Sequence, residues 1–274
     1  MKDTLILLVT CTKEITRFKV LEQVVDNLIK LVDTDTQENF LVFDNASTYP
    51  GSIELLTSSF KNVFQSKTNA GYWSAIFWCI NNYEKMMNKD YKYLYIIESD
   101  IIHFDKAFEK LRLCEKFLDD YEDIGSIRTE EFLVSERSLY DKRKQTKNSK
   151  KYACVVQHNF IENKNVEFEL VDKINEIYSC NFLSKLPSLT RMKTIKEVFL
   201  ELSKLREFSE LDYQKLYYEK YKKSAIIDRG IWHSKLGNEN SHIVINGSRN
   251  HNLSIDYRPT RNDKILKDLD VIKL

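Results

Sequence analysis

Glycine and proline are scarce in this chain, with six Gly and three Pro among 274 residues. So few of either argues against collagen-like, linker-rich or short-repeat designs. Charge of one sign is also lacking: the net charge of +1 gives no global pull toward nucleic acid or an anionic surface. No apolar run approaches the roughly 20 residues that cross a bilayer. The five cysteines (Cys11, Cys79, Cys114, Cys154, Cys180) are an odd set without a C-x-x-C pair. Four of them lie in apolar or periodic segments, so reduced thiols in a cytoplasmic protein are expected. The apolar stretch near the N-terminus is too short for a signal peptide. Neither G-x-G-x-x-G nor G-x-x-x-x-G-K-[ST] occurs, which argues against a dinucleotide fingerprint or a P-loop.

What the chain does have is a series of strand-forming runs that end in polar residues. Leu5–Val9 ends in Thr10-Cys11-Thr12-Lys13, and Phe40–Phe43 ends in Asp44-Asn45-Ala46-Ser47. Tyr93–Ile97 ends in Glu98-Ser99-Asp100, and the short run Val63-Phe64 leads to Asn69-Ala70-Gly71. Unbroken apolar runs of this kind read as strands buried on both faces of a mainly parallel sheet. Helical spacing fills the intervals: Leu21, Val24, Val25, Leu28 and Val32; then Ile53–Phe60; then Tyr72 to Met87; then Phe104 to Leu118. The expected fold is α/β, with a central sheet flanked by helices.

In a parallel sheet the carboxyl ends of the strands share one edge, where ligands bind. Hydroxyl and amide groups would occupy one part of that edge and the acids Glu98 and Asp100 another. Paired acids repel unless a cation is shared between them. A divalent metal bound to phosphate oxygens meets that need, so the edge suits a nucleotide with its base and ribose on the hydrogen-bonding part and its diphosphate toward the acids. Each feature has a bland alternative. Asp44-Asn45 reads equally as a strand-end turn, and Asn69-Ala70-Gly71 as a turn needing positive φ. Glu98-Asp100 alone reads as a solvated strand end before a helix cap.

Beyond Leu118 the pattern is less regular. Ile124–Ile127, Phe132–Val134, Tyr152–Val156, Val166–Val171 and Ile174–Cys180 read as strands, several of them antiparallel. Asp141–Lys151 carries six cations and one acid, a solvated loop or a contact for an anionic partner. Pro187–Arg191 leads into a helix with Ile195, Val198, Phe199, Leu202 and Leu205 on its apolar face, and a second helical pattern follows Glu210-Leu211-Asp212. Ser224–Ile227 is the last strand expected. The polar tail 234–274 spaces Arg249, His251, Arg258 and Arg261 along it, for surface pairing or for closing over diphosphate.

The order LILLVTCTKE, LVFDNAS, NAGYWSA, YLYIIESD resembles a family 2 glycosyltransferase with the GT-A fold over roughly residues 4–115. It continues more loosely in CNFLSKLPSLTR, FSELDYQKLY and IIDRGIWHS. The resemblance implies one domain: a nucleotide-binding half (1–115), an acceptor half with a smaller antiparallel region (116–233) and the tail. It implies a nucleotide-sugar site of Thr10, Thr12, Asp44, Asn45, Asn69, Gly71, Glu98, Ser99, Asp100 and Arg191, the last at an acceptor-side turn entering a helix. Glu98 and Asp100 match the D-x-D metal motif for Mn²⁺ or Mg²⁺, with Glu98 replacing the first Asp, and His233 matches a position that helps hold metal or diphosphate. Glu210 or Asp212 matches the catalytic base; E-x-D stands where E-D is more frequent, so both remain candidates.

The implied activity is inverting, metal-dependent transfer of a sugar from a nucleotide sugar to a glycan or lipid-linked glycan in cell-surface polysaccharide synthesis. The protein would work in the cytoplasm, peripherally at the inner membrane face, without nucleic acid. Rival readings are a sugar-nucleotide nucleotidyltransferase, which would want a glycine-rich loop that TCTKEITRFK lacks, and a non-catalytic nucleotide-sugar or glycan-binding module. His233 beside Trp232 reads equally as a packed histidine, and Trp73 and Trp78 as core residues.

Overall fold

The computed structural model describes residues 1–130, 168–181, 183, 187–221, 223–234 and 263–274, with the backbone of 158–159 and 164–165. The strands expected at Phe132–Val134 and Tyr152–Val156, the start of the one at Val166, the basic loop 141–151, Cys154 and the four spaced tail residues lie outside the described residues.

In chain order the elements are β1 (Thr4–Thr10), α1 (Ile15–Leu31), α2 (Thr34–Gln37), β2 (Phe40–Asp44), α3 (Ser52–Ser59), β3 (Val63–Ser66), α4 (Tyr72–Met87), β4 (Tyr93–Glu98), β5 (Ile101–His103) and α5 (Ala107–Asp120). Then come β6 (Ile124–Arg128), β7 (His158–Asn159), β8 (Lys164–Asn165), β9 (Phe168–Asp172), β10 (Ile177–Cys180), β11 (Ser188–Arg191), α6 (Met192–Leu202), α7 (Glu210–Tyr218), β12 (Lys223–Ile227), β13 (Trp232–Ser234) and β14 (Val271–Lys273). Among the described residues, ten strands form one sheet in the order β14-β3-β2-β1-β4-β11-β6-β12-β10-β9.

The apolar runs are unbroken because helices cover both faces of the sheet. Along β1 and β4 the alternation of a strand sends Ile6, Leu8, Tyr93, Tyr95 and Ile97 to one core, shared with Leu21, Val24 and Leu28 of α1 and Leu111 of α5. Leu5, Leu7, Leu94 and Ile96 face the opposite core with Ile76 and Ile80 of α4 and Val198 and Phe199 of α6. β1 is parallel to β2 and β4, and β2 to β3. β11 runs antiparallel between β4 and β6, so β6 points the same way as β4, and β12 is parallel to β6. The carboxyl ends of β3, β2, β1, β4, β6 and β12 therefore share one edge.

Four segments differ from the sequence reading. Pro187–Arg191, expected as a turn, supplies β11 in mid-sheet. Only Leu189 there is apolar; Ser188 and Thr190 are buried because their hydroxyls bond one another at 3.2 Å, and Thr190 bonds Ser126 of β6 at 2.8 Å. The strand expected from Ile174 begins at Ile177, since Asp172 Oδ1 accepts the backbone N–H groups of Ile174 and Asn175 and turns the chain. β5 and β13 form a separate antiparallel pair, with His233 opposite Ile102. Finally, the polar tail ends in β14, which covers the outer edge of β3. Unpaired strand edges invite association with other chains, and β14 caps this one. Among the described residues no helix is long and apolar enough to cross a membrane, and Cys11, Cys79, Cys114 and Cys180 are free thiols.

Candidate active site

The edge is built rung by rung. Gln65, Asp44 and Thr10 lie side by side on β3, β2 and β1, and Glu98 on β4 pairs with Val9, one residue back from Thr10. With strands about 4.8 Å apart, Asp44 and Glu98 are separated by roughly 10 Å across two spacings.

Asp44 is fully buried. Its carboxylate accepts Ser47 N–H at 2.9 Å, the Ser47 hydroxyl, and Gln65 Nε2 at 3.0 Å. Burial pushes its pKa up, against the lowering effect of those bonds. A carboxylate has about four lone-pair positions, so three bonds leave capacity for one more donor, such as a base N–H. Ser47 also accepts Thr12 N–H at 2.7 Å, and Asn45 N–H donates to the Thr10 carbonyl at 2.7 Å. Thr10 and Thr12 are both buried, their hydroxyls 3.4 Å apart. The chain leaves β2 through Ala46 at φ 62°, a left-handed conformation that costs a side-chain-bearing residue about 1 kcal/mol or more.

Asn45 fastens this corner to the start of α4. Its Nδ2 donates to Asn69 Oδ1 at 3.0 Å, and its Oδ1 accepts Ala70 N–H at 2.8 Å. Asn69 Oδ1 also accepts Gly71 N–H at 2.9 Å, and Asn69 Nδ2 approaches Cys11 Sγ at 3.4 Å. Gly71 sits at φ 80°, the positive φ that favours glycine, and caps α4.

Glu98 ends β4, and Ser99-Asp100 form the turn into β5; all three are partly exposed. Among the described residues no three His, Cys, Asp or Glu side chains gather as a preformed metal cage. His233 therefore does not complete one with Glu98 and Asp100, although β13 brings it opposite Ile102; its ring stacks on Phe104 at 5.3 Å. The donor set fits instead a cation held by one or two carboxylates with phosphate oxygens completing the shell.

Glu210 and Asp212 part company in α7. Asp212 Oδ2 accepts the Ser209 backbone N–H at 2.8 Å and the Ser209 hydroxyl at 3.0 Å, closing a capping box. Glu210 carries the acid of this turn that is outside the box, and its charge reaches two buried groups. Burial first, then the charges of Glu98, Tyr213 and Glu210, drive the Tyr72 phenol well above its ordinary pKa. Burial lowers the pKa of Arg128, at the edge end of β6, while Glu210 is among the groups acting the other way. Arg128 also makes a buried ion pair with Glu130. Glu98 and Glu210, far apart in sequence, thus both bear on the Tyr72 phenol.

Arg191 is not at this edge. It pairs with Tyr93, at the opposite end of β4 from Glu98. Its guanidinium bonds the carbonyls of Ile124 at 3.0 Å, Tyr121 at 3.1 Å and Leu118, closing the end of α5. The antiparallel course of β11, invisible in the sequence, puts it there. Trp73 packs among Phe199, Phe208 and Tyr213 with ring centroids 5.4–5.6 Å away, and Trp78 packs on Phe43 at 5.5 Å. Sequence reasoning placed Ser47 in the polar strand end without a role and missed Gln65; both hold Asp44.

No family model and no curated protein sequence matches this chain. Its structure is similar to solved ones. The complex of GalNAc-T7 with UDP, GalNAc and Mn²⁺ gives a TM-score of 0.54 at 10% identity, over 83% of this chain and 42% of that one. TarS of S. aureus gives 0.51 at 15% identity, over 87% of this chain and 37% of that one. Its residues 1–349 in complex with UDP-GlcNAc give 0.51 at 14% identity, over 85% and 58%. The chain spans from 37 to 58% of the length of these structures. The sheet order, the polar carboxyl edge and these likenesses give one conclusion: the chain has the GT-A fold.

Proposed function

We propose that this chain is a glycosyltransferase that moves a sugar from a nucleoside-diphosphate sugar to an acceptor hydroxyl. The observation that supports the proposal is that Thr10, Asp44 and Glu98 end neighbouring strands at one carboxyl edge, with Asp100 in the turn that follows Glu98. UDP is the first nucleotide to test, because the similar structures of TarS and GalNAc-T7 were solved with UDP-GlcNAc and with UDP and Mn²⁺.

In this reading Asp44 accepts a hydrogen bond from the base, while Thr10, Thr12 and the Asn45–Asn69 pair shape the nucleoside pocket. Asp100 and Glu98, with Ser99 between them, would hold a divalent cation jointly with the diphosphate. A bound Mn²⁺ or Mg²⁺ supplies Lewis-acid stabilisation of the leaving group's charge. Glu210 takes the proton from the acceptor hydroxyl as it attacks the anomeric carbon from the face opposite the diphosphate, inverting that centre in one step. Asp212 holds the α7 cap and positions Glu210. The acceptor class, a glycan or lipid-linked glycan of the cell surface, rests on the sequence resemblance.

The test is a melting-temperature panel of UDP- and GDP-sugars with and without Mn²⁺, since a ligand bound by the native state raises its stability. A rise for one nucleotide that depends on Mn²⁺, followed by acceptor-dependent release of that nucleotide, is the expected outcome. No shift with any donor contradicts the proposal.

A further inference from the structure

The turn that carries Glu98, Ser99 and Asp100 is held at both of its ends. It leaves β4 at Glu98 and enters β5 at Ile101, so only Ile101 and Ile102 separate Asp100 from His103. His103 is buried, and both its backbone and its ring are tied. Asn27 of α1 bonds the backbone twice: its Oδ1 accepts His103 N–H at 2.8 Å, and its Nδ2 donates to the His103 carbonyl at 3.0 Å. The ring reaches back to β4, where Nε2 lies 3.0 Å from the hydroxyl of Tyr95, also buried. Along its other side β5 pairs with β13, and Trp232 stands opposite His103. Trp232 Nε1 donates to the hydroxyl of Thr129, the residue that follows β6, at 2.9 Å. The stretch from Tyr95 to His103, with both acids inside it, is thus closed into a loop by one side-chain hydrogen bond.

Packing alone does not call for this polar pair. The His103 ring stacks on Phe108 at 5.5 Å and meets Tyr95 edge-on at 5.8 Å, an aromatic setting that phenylalanine would also fill. Histidine leaves Nδ1 buried with no partner among the described residues, and an unpartnered buried polar atom is destabilising. What the imidazole adds is direction. Nε2 meets the Tyr95 hydroxyl in a single register of β5, because a slip of one residue shifts the chain by about 3.3 Å and turns the side chain to the other face. Selecting one arrangement among several is an attested use of buried polar groups. A binding site must be held within about 0.5 Å of its working geometry, so the acids three and five residues away gain most from the fixed register.

We propose that the Tyr95–His103 hydrogen bond sets the geometry in which Glu98 and Asp100 meet a divalent cation. Tyr95 and His103 are then positioning residues, acting through the turn without touching cation or nucleotide. The inference rests on the reading of Glu98 and Asp100 as cation holders and adds to it the residues that aim them.

The experiment measures the affinity for UDP, or for the nucleoside diphosphate that the donor panel selects, by calorimetry with and without Mn²⁺. Wild type is compared with Tyr95→Phe, with Tyr95→Phe and His103→Phe combined, and with His103→Gln. The combined variant replaces both partners by apolar rings of similar shape, a change close to neutral for stability. His103→Gln presents an amide nitrogen to the Tyr95 hydroxyl and so tests rescue. Wild type should gain affinity from Mn²⁺. In Tyr95→Phe and in the combined variant that gain should fall on the order of tenfold, the low end of what losing a supporting residue does to a metal site. Affinity without Mn²⁺ should match wild type in every variant, the combined variant should melt near the wild-type temperature, and His103→Gln should keep most of the gain. A full Mn²⁺ gain in Tyr95→Phe overturns the inference, whatever the melting temperatures, because it confines the pair to folding. Loss of the gain in His103→Gln as complete as in the combined variant overturns it too. If the combined variant does not fold, Tyr95→Phe, which removes a single oxygen, decides. Wild-type protein whose affinity does not respond to Mn²⁺ removes the cation reading of Glu98 and Asp100 as well.

Discussion

The two parts of the central sheet solve the problem of burying a strand differently. From β3 to β4 every strand is parallel, and apart from Thr4 at the start of β1 the polar residues lie toward the carboxyl ends. From β11 onward the sheet mixes directions, and its buried strands carry hydroxyl groups inside: Ser188, Thr190, Ser126 and Ser224 are all buried. In the first region the hydrophobic effect positions the strands and leaves the edge free to hold function. In the second, side-chain hydrogen bonds share the positioning, because a buried hydroxyl must find a partner. In the proposed function, the rigid edge holds one reactant and the helix-borne acid of α7 meets the other.

The largest expected effect separates the two acids of α7. Glu210→Gln should lower acceptor-dependent transfer by 10²–10⁴-fold, the usual contribution of a general base, with nucleotide affinity and melting temperature unchanged. Asp212→Ala should cost about 1 kcal/mol of stability through loss of the helix cap, with transfer reduced far less. The reverse ranking, measured by initial rates and thermal melts, would exchange their roles.

Next in size is an acid sensitivity on β5, packed against the parallel region. His103 is buried against Tyr95 and Phe108, with Nε2 3.0 Å from the Tyr95 hydroxyl, and burial depresses its pKa to about 3 from 6.5. The unfolded chain takes up this proton more readily than the folded one, so the contribution is fully present above pH 6.5 and is lost as pH falls toward 3. The slope for one such group is about 1.4 kcal/mol per pH unit. Denaturant melts between pH 7 and 4 should show it, and His103→Gln should flatten the curve; an identical slope in the variant would contradict the assignment.

A smaller effect probes the mixed region. Thr190→Val leaves the Ser126 hydroxyl buried without this partner and should cost about 1–3 kcal/mol, whereas Ser126→Ala with Thr190→Val should recover part of that loss. A double variant no better than the sum of the singles would mean that the hydroxyl pair does not organise β11.

How much was legible in the sequence follows the same division. The strands β1, β2 and β4, helices α1 and α4 and the polar ends Thr10, Asp44 and Glu98 could be read because burial on both faces writes an unbroken apolar run. β11 could not: Ser188-Leu189-Thr190-Arg191 has one apolar residue, and its neighbours come from distant parts of the chain. That one missed strand also moved Arg191 from the ligand edge to the far side of the sheet. β14 escaped for another reason, because an edge strand of three residues carries no pattern of its own. In α7 Glu210 and Asp212 were found as a pair, but only the Ser209 capping box distinguishes them, and a capping box reads in sequence like any acidic helix start.

In the proposed function Asp100 and Glu98 hold a nucleotide's diphosphate through a shared cation. Calorimetric titration of UDP, or of the nucleotide selected by the melting panel, into wild type and Asp100→Ala with and without Mn²⁺ tests it most directly. Wild type should bind more tightly with Mn²⁺, and Asp100→Ala should lose that gain while keeping the weaker, cation-independent affinity supplied by the Asp44 corner. An equal Mn²⁺ gain in both proteins would contradict the claim.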